Sequence, residues 1–142
     1  QPQFDIIIFD LAPARGPVLA TALAAATRCI APVQPEDLVL RALQALMDSV
    51  SQAQRVNPKL QGVSIVRNRY AARSAGDQVY DNLLRTSYQQ QLLKTVIPVR
   101  AALRDSAGLQ QSIFRYNGPD ANEVRNLFLD LVDELITLDG GS

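Results

Sequence analysis

Two patterns of apolar and polar positions alternate along this chain of 142 residues. The first is short, largely apolar runs: Phe4–Phe9 (FDIIIF), Cys29–Val33 (CIAPV), Gly62–Val66 (GVSIV) and Lys94–Ile97 (KTVI). Runs this short, bounded by turn residues, suit strands buried on both faces of a parallel sheet. The second is apolar recurrence at helical spacing. Leu38, Val39, Ala42, Leu43, Leu46, Met47 and Val50 form one stripe, and Ala121, Val124, Leu127, Phe128, Leu131, Val132, Leu135 and Ile136 form another. Spacings of three and four residues place each set on one helix face. Further helices are expected over residues 18–27, from Asp77 to about Gln91, and around 101–107. Ser112–Tyr116 reads as either a loop or an edge strand.

The boundaries have physical causes. Pro13, Gly16 and Pro17 interrupt the chain after the first run, Pro32 and Pro35 stop the second, and Pro98 stops the fourth. Asn57-Pro58 ends a helix, because the residue before proline is pushed out of the helical region. Glu36 and Asp37 fall in a first helical turn, where the helix dipole favours anions. Asp120 and Asn122 are both plausible caps for the last helix. Arg67-Asn68-Arg69-Tyr70 is polar and is expected to leave the sheet after the third strand. The alternating order predicts an α/β fold, a mostly parallel sheet with helices on both faces. The chain reads as a single α/β domain over 1–142, with a flexible tail at 139–142. Four strands are few for a complete nucleotide-binding domain.

Composition narrows the chemistry. The chain has no His, no Trp, one Cys and one Met. Without His there is no Ser-His-Asp triad, no zincin motif and no imidazole base. One Cys makes neither an internal disulfide nor a Cys-rich zinc site, and no oxidising compartment is indicated. No apolar run approaches the ~20 residues that cross a bilayer, and no signal peptide is visible. The first residue is Gln1 rather than Met, which suits a piece of a longer chain.

Charge changes the picture more. Basic and acidic residues number 14 each, yet they are segregated. Residues 1–54 carry a net −2, residues 55–115 hold ten basic residues against three acids for +7, and residues 116–142 carry −5. Twelve of the basic residues are Arg, the side chain suited to bidentate phosphate contact. A solvated surface of local ion pairs and an anionic partner are both compatible with this block.

In open α/β sheets ligands bind beyond the carboxyl ends of the strands. Asp10 closes the first run, Pro32–Glu36 follows the second and Asn68 follows the third. Ile6-Ile7-Ile8-Phe9-Asp10 matches the Walker B pattern. A carboxylate at the tip of a buried strand can hold Mg²⁺ through water beside nucleotide phosphates. An ordinary turn or cap Asp fits the same residues.

The wider context resembles the ParA/MinD ATPases. Phe4 to Pro13 resembles their Walker B region, where a "D-x-x-P" follows the strand. Ala22-Leu23-Ala24-Ala25-Ala26 resembles their small-residue helix. Pro32-Val33-Gln34-Pro35-Glu36 is nearly a signature of the ParA branch. Asn57-Pro58-Lys59-Leu60 and Gly62-Val63 fall in family order. Val96-Ile97-Pro98 matches "V-I-P", Leu103-Arg104-Asp105-Ser106 resembles "L-x-E-A", and the final amphipathic helix matches the family's C-terminal helix. The resemblance covers essentially the whole chain. It departs at Ala12, where the family usually has Pro, and at Arg100 and Arg104, which are not in register with the family's Arg pair. No Gly is followed by Lys, so the family's deviant Walker A loop is absent. In the family that loop lies upstream of Walker B. The chain therefore looks like the C-terminal part of such an ATPase, a P-loop NTPase-like half lacking the Walker A segment.

The resemblance implies residue roles. Asp10 would be catalytic, supporting Mg²⁺ through water. Asn68 would read adenine with its amide, or else serve as a turn residue. Pro98 and Val99 would pack on the adenine face. Gln34 and Glu36 would sit near a partner subunit. Arg67, Arg69, Arg73, Arg85, Arg100 and Arg104 are candidates for nonspecific binding of duplex DNA, which needs phosphate neutralisation. The family implies ATP and Mg²⁺ in the full-length protein, none bound tightly by this chain alone, and no ATP hydrolysis by it. It also implies a dimer or swapped oligomer, a ParB-like centromere-binding partner, and a cytoplasmic, nucleoid-associated site of action. Two alternatives stand beside a partition ATPase. One is a non-catalytic dimerisation module. The other is a MinD-like positioning ATPase, disfavoured because that family usually ends in a basic amphipathic membrane helix and the last helix here carries Asp130, Asp133 and Glu134 before Gly140-Gly141.

Overall fold

The computed structural model describes residues 3–12, 16–36 and 39–140. In chain order the elements are α1 (Pro17–Ala25), β1 (Cys29–Val33), α2 (Val39–Gln54), β2 (Val63–Tyr70), α3 (Ala75–Tyr88), β3 (Leu92–Pro98), α4 (Ala101–Gly108) and α5 (Ala121–Gly140). The strands form a parallel three-stranded sheet in the order β1-β2-β3. Of the expected boundary and cap residues, Pro13, Asp37, Leu38, Gly141 and Ser142 lie outside the described residues.

The chain divides into two compact units, one of residues 1–29 with 44–63, the other of residues 30–43 with 64–142. In the first, Leu23, Val50, Ala53 and Leu60 are buried. Asn57 organises this unit. Its amide donates to the carbonyls of Leu23 (2.9 Å) and Ala26 (2.7 Å), which the end of α1 leaves without helical partners. Its Oδ1 accepts from the Lys59 backbone N–H, and its own N–H closes on Ala53 beyond the end of α2. One buried side chain thus finishes two helices. Gly62 has φ of 117°, a left-handed conformation that glycine adopts without penalty, and it leads into β2.

In the second unit, neighbouring residues of β2 face opposite sides of the sheet. Val66 joins Leu93 and Ile97 of β3 beneath Leu127, Phe128, Leu131 and Leu135 of α5. Ala102, Ile113 and Val124 extend this core toward α4. Arg67 points the other way, toward α3, where its guanidinium meets Asp81. Helices therefore cover both faces, as the sequence predicts.

Two expectations need correction. The first apolar run is not a strand. Residues 4–12 carry no strand pairing, and Ile6, Ile7 and Ile8 are 68–85% exposed. Apolarity alone does not make a strand, because the ladder needs a neighbour, and among the described residues this segment has none. Second, Arg67–Tyr70 does not leave the sheet. Arg67 pairs with Val96, Asn68 with Ile97 and Tyr70 with Pro98, with an irregularity at Arg69, whose φ is 54°. A buried ion pair makes the polar residue tolerable inside the strand. α5 runs to Gly140 and so takes in residues 139 and 140. Ser112–Tyr116 resolves into a turn rather than an edge strand.

Candidate functional site

The carboxyl ends of the strands converge, within the second unit, on a small set of residues. Gln34 and Pro35 continue from β1, while Asn68 and Tyr70 end β2. With Asp77 and Tyr80 of α3 they line a cavity of about 10 Å³. That is room for about one water. Pro98 ends β3 beside Tyr70, and the Val99 N–H donates to the Tyr70 carbonyl at 3.3 Å. The structure therefore brings Gln34 and Asn68 to one cavity and sets Pro98 and Val99 at the adjoining strand end. Asp10 follows the exposed N-terminal run and closes no strand, and Glu36 is exposed.

The loop from β2 to α3 is held by local chemistry. Ser74 is the N-cap of α3 and accepts from the Asp77 N–H at 3.3 Å. The Asp77 carboxylate turns back to accept from the Ala71 N–H at 2.6 Å. A Ser followed three residues later by a carboxylate is legible in sequence as a capping arrangement.

Beneath this loop lies an ion-pair network. Asp81 accepts from Arg67 at 2.7 Å and from Arg85 at 2.6 Å. Arg67, 6% exposed, also donates to the carbonyls of Leu93 (2.9 Å) and Lys94 (3.2 Å). Burial works to raise the Asp81 pKa. The hydrogen bonds from Arg85 and Arg67, together with their charges, outweigh it and hold the carboxyl below its usual range. The i, i+4 spacing of Asp81 and Arg85 was a readable signal for this pair. The link to Arg67 was not.

The six candidate arginines now separate. Arg67 is enclosed. Arg85 is exposed but paired with Asp81. Arg100 bonds Glu123 at 2.6 Å, and that bond raises its pKa. Arg104 contacts Asp105 at 3.1 Å from an exposed position. Arg69 and Arg73 are exposed on and beyond the end of β2. Sequence reasoning missed the contact that Glu134 of α5 makes with β3. It accepts the backbone N–H groups of Lys94 (2.6 Å) and Thr95 (3.0 Å) and the Thr95 hydroxyl (2.7 Å). Burial pushes its pKa up, but those three donors outweigh it and the carboxyl stays below its usual range. Its only sequence signal is an acid beside the apolar stripe.

Among the described residues no three acidic, His or Cys side chains gather as metal ligands. No helix among the described residues is long and apolar enough to cross a membrane.

A parallel sheet with helices on both faces and polar residues gathered at the strand ends is a P-loop NTPase-like α/β arrangement. Comparison with known proteins narrows the class. A family model described as an AAA domain matches residues 1–62. The chain is 27% identical over 127 residues to the chromosome-partitioning ATPase Soj of Thermus thermophilus, covering 87% of this chain and 51% of Soj. It is 24% identical over 134 residues to protein IncC of Escherichia coli, covering 94% of this chain and 37% of IncC. An uncharacterized protein of Pseudomonas putida is 27% identical over 134 residues, 94% of this chain and 50% of its own length. The chain is partly similar to these proteins along most of its own length, and it spans about half of their length or less.

Proposed function

We propose that this chain is the C-terminal part of a ParA-like ATPase that partitions chromosomal or plasmid DNA. The observation that carries the reading is similarity to Soj and IncC along 87% and 94% of the chain. In the full-length protein, ATP and Mg²⁺ would bind where this half supplies the strand ends at Asn68, Pro98 and Val99. Asp10 would take its metal-supporting role once its run is built into a sheet. This half alone would not hydrolyse ATP. Gln34 and Glu36 would face a partner subunit in an ATP-dependent dimer. A ParB-like protein would be the other partner, and the assembly would act in the cytoplasm on the nucleoid.

Nonspecific DNA binding would rest first on Arg69 and Arg73. Both are exposed, whereas Arg67 is enclosed and Arg85, Arg100 and Arg104 have acidic neighbours. Phosphate neutralisation by such residues makes affinity fall with salt. The full-length protein should bind any duplex in an ATP-dependent, salt-sensitive way. The double charge reversal Arg69→Glu, Arg73→Glu should weaken binding at least tenfold and flatten the salt slope. Unchanged binding would remove these residues from the proposal, and a duplex affinity indifferent to ATP would overturn the partition reading.

Self-association has a separate support. Phe4, Ile6, Ile7, Ile8 and Phe9 are each at least half exposed. A bare apolar run of this length invites strand pairing with another chain. Light scattering at high concentration should show an oligomer. A strict monomer would refute this part.

A further inference from the structure

The last helix is apolar over more of its surface than the sheet covers. Leu127, Phe128, Leu131 and Leu135 of α5 pack on Val66, Leu93 and Ile97. Leu129, Val132 and Ile136 form a second stripe on α5, and they are 51%, 47% and 55% exposed. The helical turn sets this stripe about 100° around α5 from the first, so the helix is apolar over about 200°. A single core-facing contact needs roughly half of that arc.

Glu134 shows which way the second stripe faces. Around α5 the core residues are central, with Glu134 to one side of them and the second stripe to the other. Glu134 turns to the backbone of β3. The stripe therefore turns away from β3, toward the side where β2 and then β1 follow. On that face of the sheet β1 is bare. Val33 lines a cavity with Tyr80 and Leu84 of α3, so by strand alternation Ile30 and Pro32 point to the α5 side. Both are exposed. A wall on α5 and a floor on β1 thus border one open apolar groove, within a single compact unit.

We propose that this groove is the seat of a helix from the part of the polypeptide upstream of Gln1. The inference rests on the reading of the chain as the C-terminal part of a longer ATPase. The chain spans 51% of Soj and 37% of IncC, so those relatives hold about as much chain again or more. A bare sheet face beside a packed helix is filled by a second helix laid along the first. A second copy of α5 fits the groove less well. Asp130 and Asp133 border the stripe, and the one basic residue of α5, Arg125, is held by Ile113, Tyr116, Asn117 and Asn122. Two such helices face to face would set acid against acid.

The test is cysteine alkylation read by peptide mass spectrometry, in the full-length protein and in the 142-residue chain side by side. In the full-length protein Val132→Cys and Ile30→Cys should react at least tenfold more slowly than Asp130→Cys, which lies on the solvent flank of α5. In the 142-residue chain all three should react at similar rates. Val132→Asp should lower the melting temperature of the full-length protein by several degrees and that of the shorter chain far less. Equal reactivity of Val132→Cys and Asp130→Cys in the full-length protein overturns the proposal, as does a gene product that begins at Gln1. Protection in the shorter chain that grows with concentration overturns it in favour of a second copy. ATP-dependent duplex binding with Val132→Cys unprotected would remove the groove and keep the partition reading. Protection without ATP-dependent binding would keep the groove and remove that reading.

Discussion

Ile7 and Ile65 occupy short runs of similar apolar character, yet Ile7 is 73% exposed and Ile65 is fully enclosed. Around Ile65, the residues of β2 have β3 as a parallel neighbour, α3 on one face and α5 on the other. Around Ile7, residues 4–12 have no ladder partner among the described residues. The pair teaches that an apolar run records a capacity to be buried, and that a second segment realises it. The hydrophobic gain is proportional to area removed from water, and the backbone of an unpaired run keeps its N–H and C=O groups for solvent.

Substitutions can break or sharpen this contrast. The largest effect should come from Ile65→Ala, roughly 3–4 kcal/mol by urea denaturation, since it opens a cavity in a filled core. Ile7→Ala measured alongside should change stability by less than about 0.5 kcal/mol. An Ile7 penalty as large as that of Ile65 would mean the N-terminal run is buried in solution, and the contrast would collapse. Next comes Asp81→Ala, expected to cost about 3 kcal/mol by leaving the Arg67 guanidinium enclosed without its carboxylate. A neutral result would show that Arg67 reaches water and that the polar end of β2 is not a built part of the sheet. Asn57→Ala should cost about 2 kcal/mol, because two buried helix-end carbonyls lose their donor. That loss would show that the unit containing the exposed run has a specific interior of its own.

The smallest effect is on pH. The carboxyls of Glu134 and Asp81 are held below their ordinary values of 4.5 and 3.8. Each therefore contributes stability that is fully present above the ordinary value and is lost as pH falls through the lower folded value. Denaturation midpoints should drop on acidification below about pH 4.5, and Glu134→Gln should flatten the upper part of that slope. An unchanged slope in that variant would place the α5–β3 bond outside the stabilising set.

Much of the fold was readable. β1 falls on Cys29–Val33 as expected, α2 carries Val39 to Val50 of the first stripe, and α5 carries Ala121 to Ile136 of the second. Helix stripes and strand-breaking prolines are local signals, so they survive without tertiary knowledge. The site was less readable. Gln34, just after β1, and Asn68, within the last residues of β2, share a cavity. Arg67 looked like one more surface arginine, because nothing within a few residues announces that Asp81 and the carbonyls of Leu93 and Lys94 will enclose it.

The sequence by itself determined the alternation of helices and strands, the place of β1, the apolar stripes of the long helices, the segregation of charge, and the resemblance to ParA-type ATPases. These depend on spacing, proline and glycine positions, and residue type, all local properties. The tertiary structure decided which apolar runs became strands and which charges became interior. A ladder needs a second strand, and the Glu134 carboxylate finds Thr95 at a separation of 39 residues. Such pairings are settled by the free energy of bringing distant segments together, which no local pattern encodes.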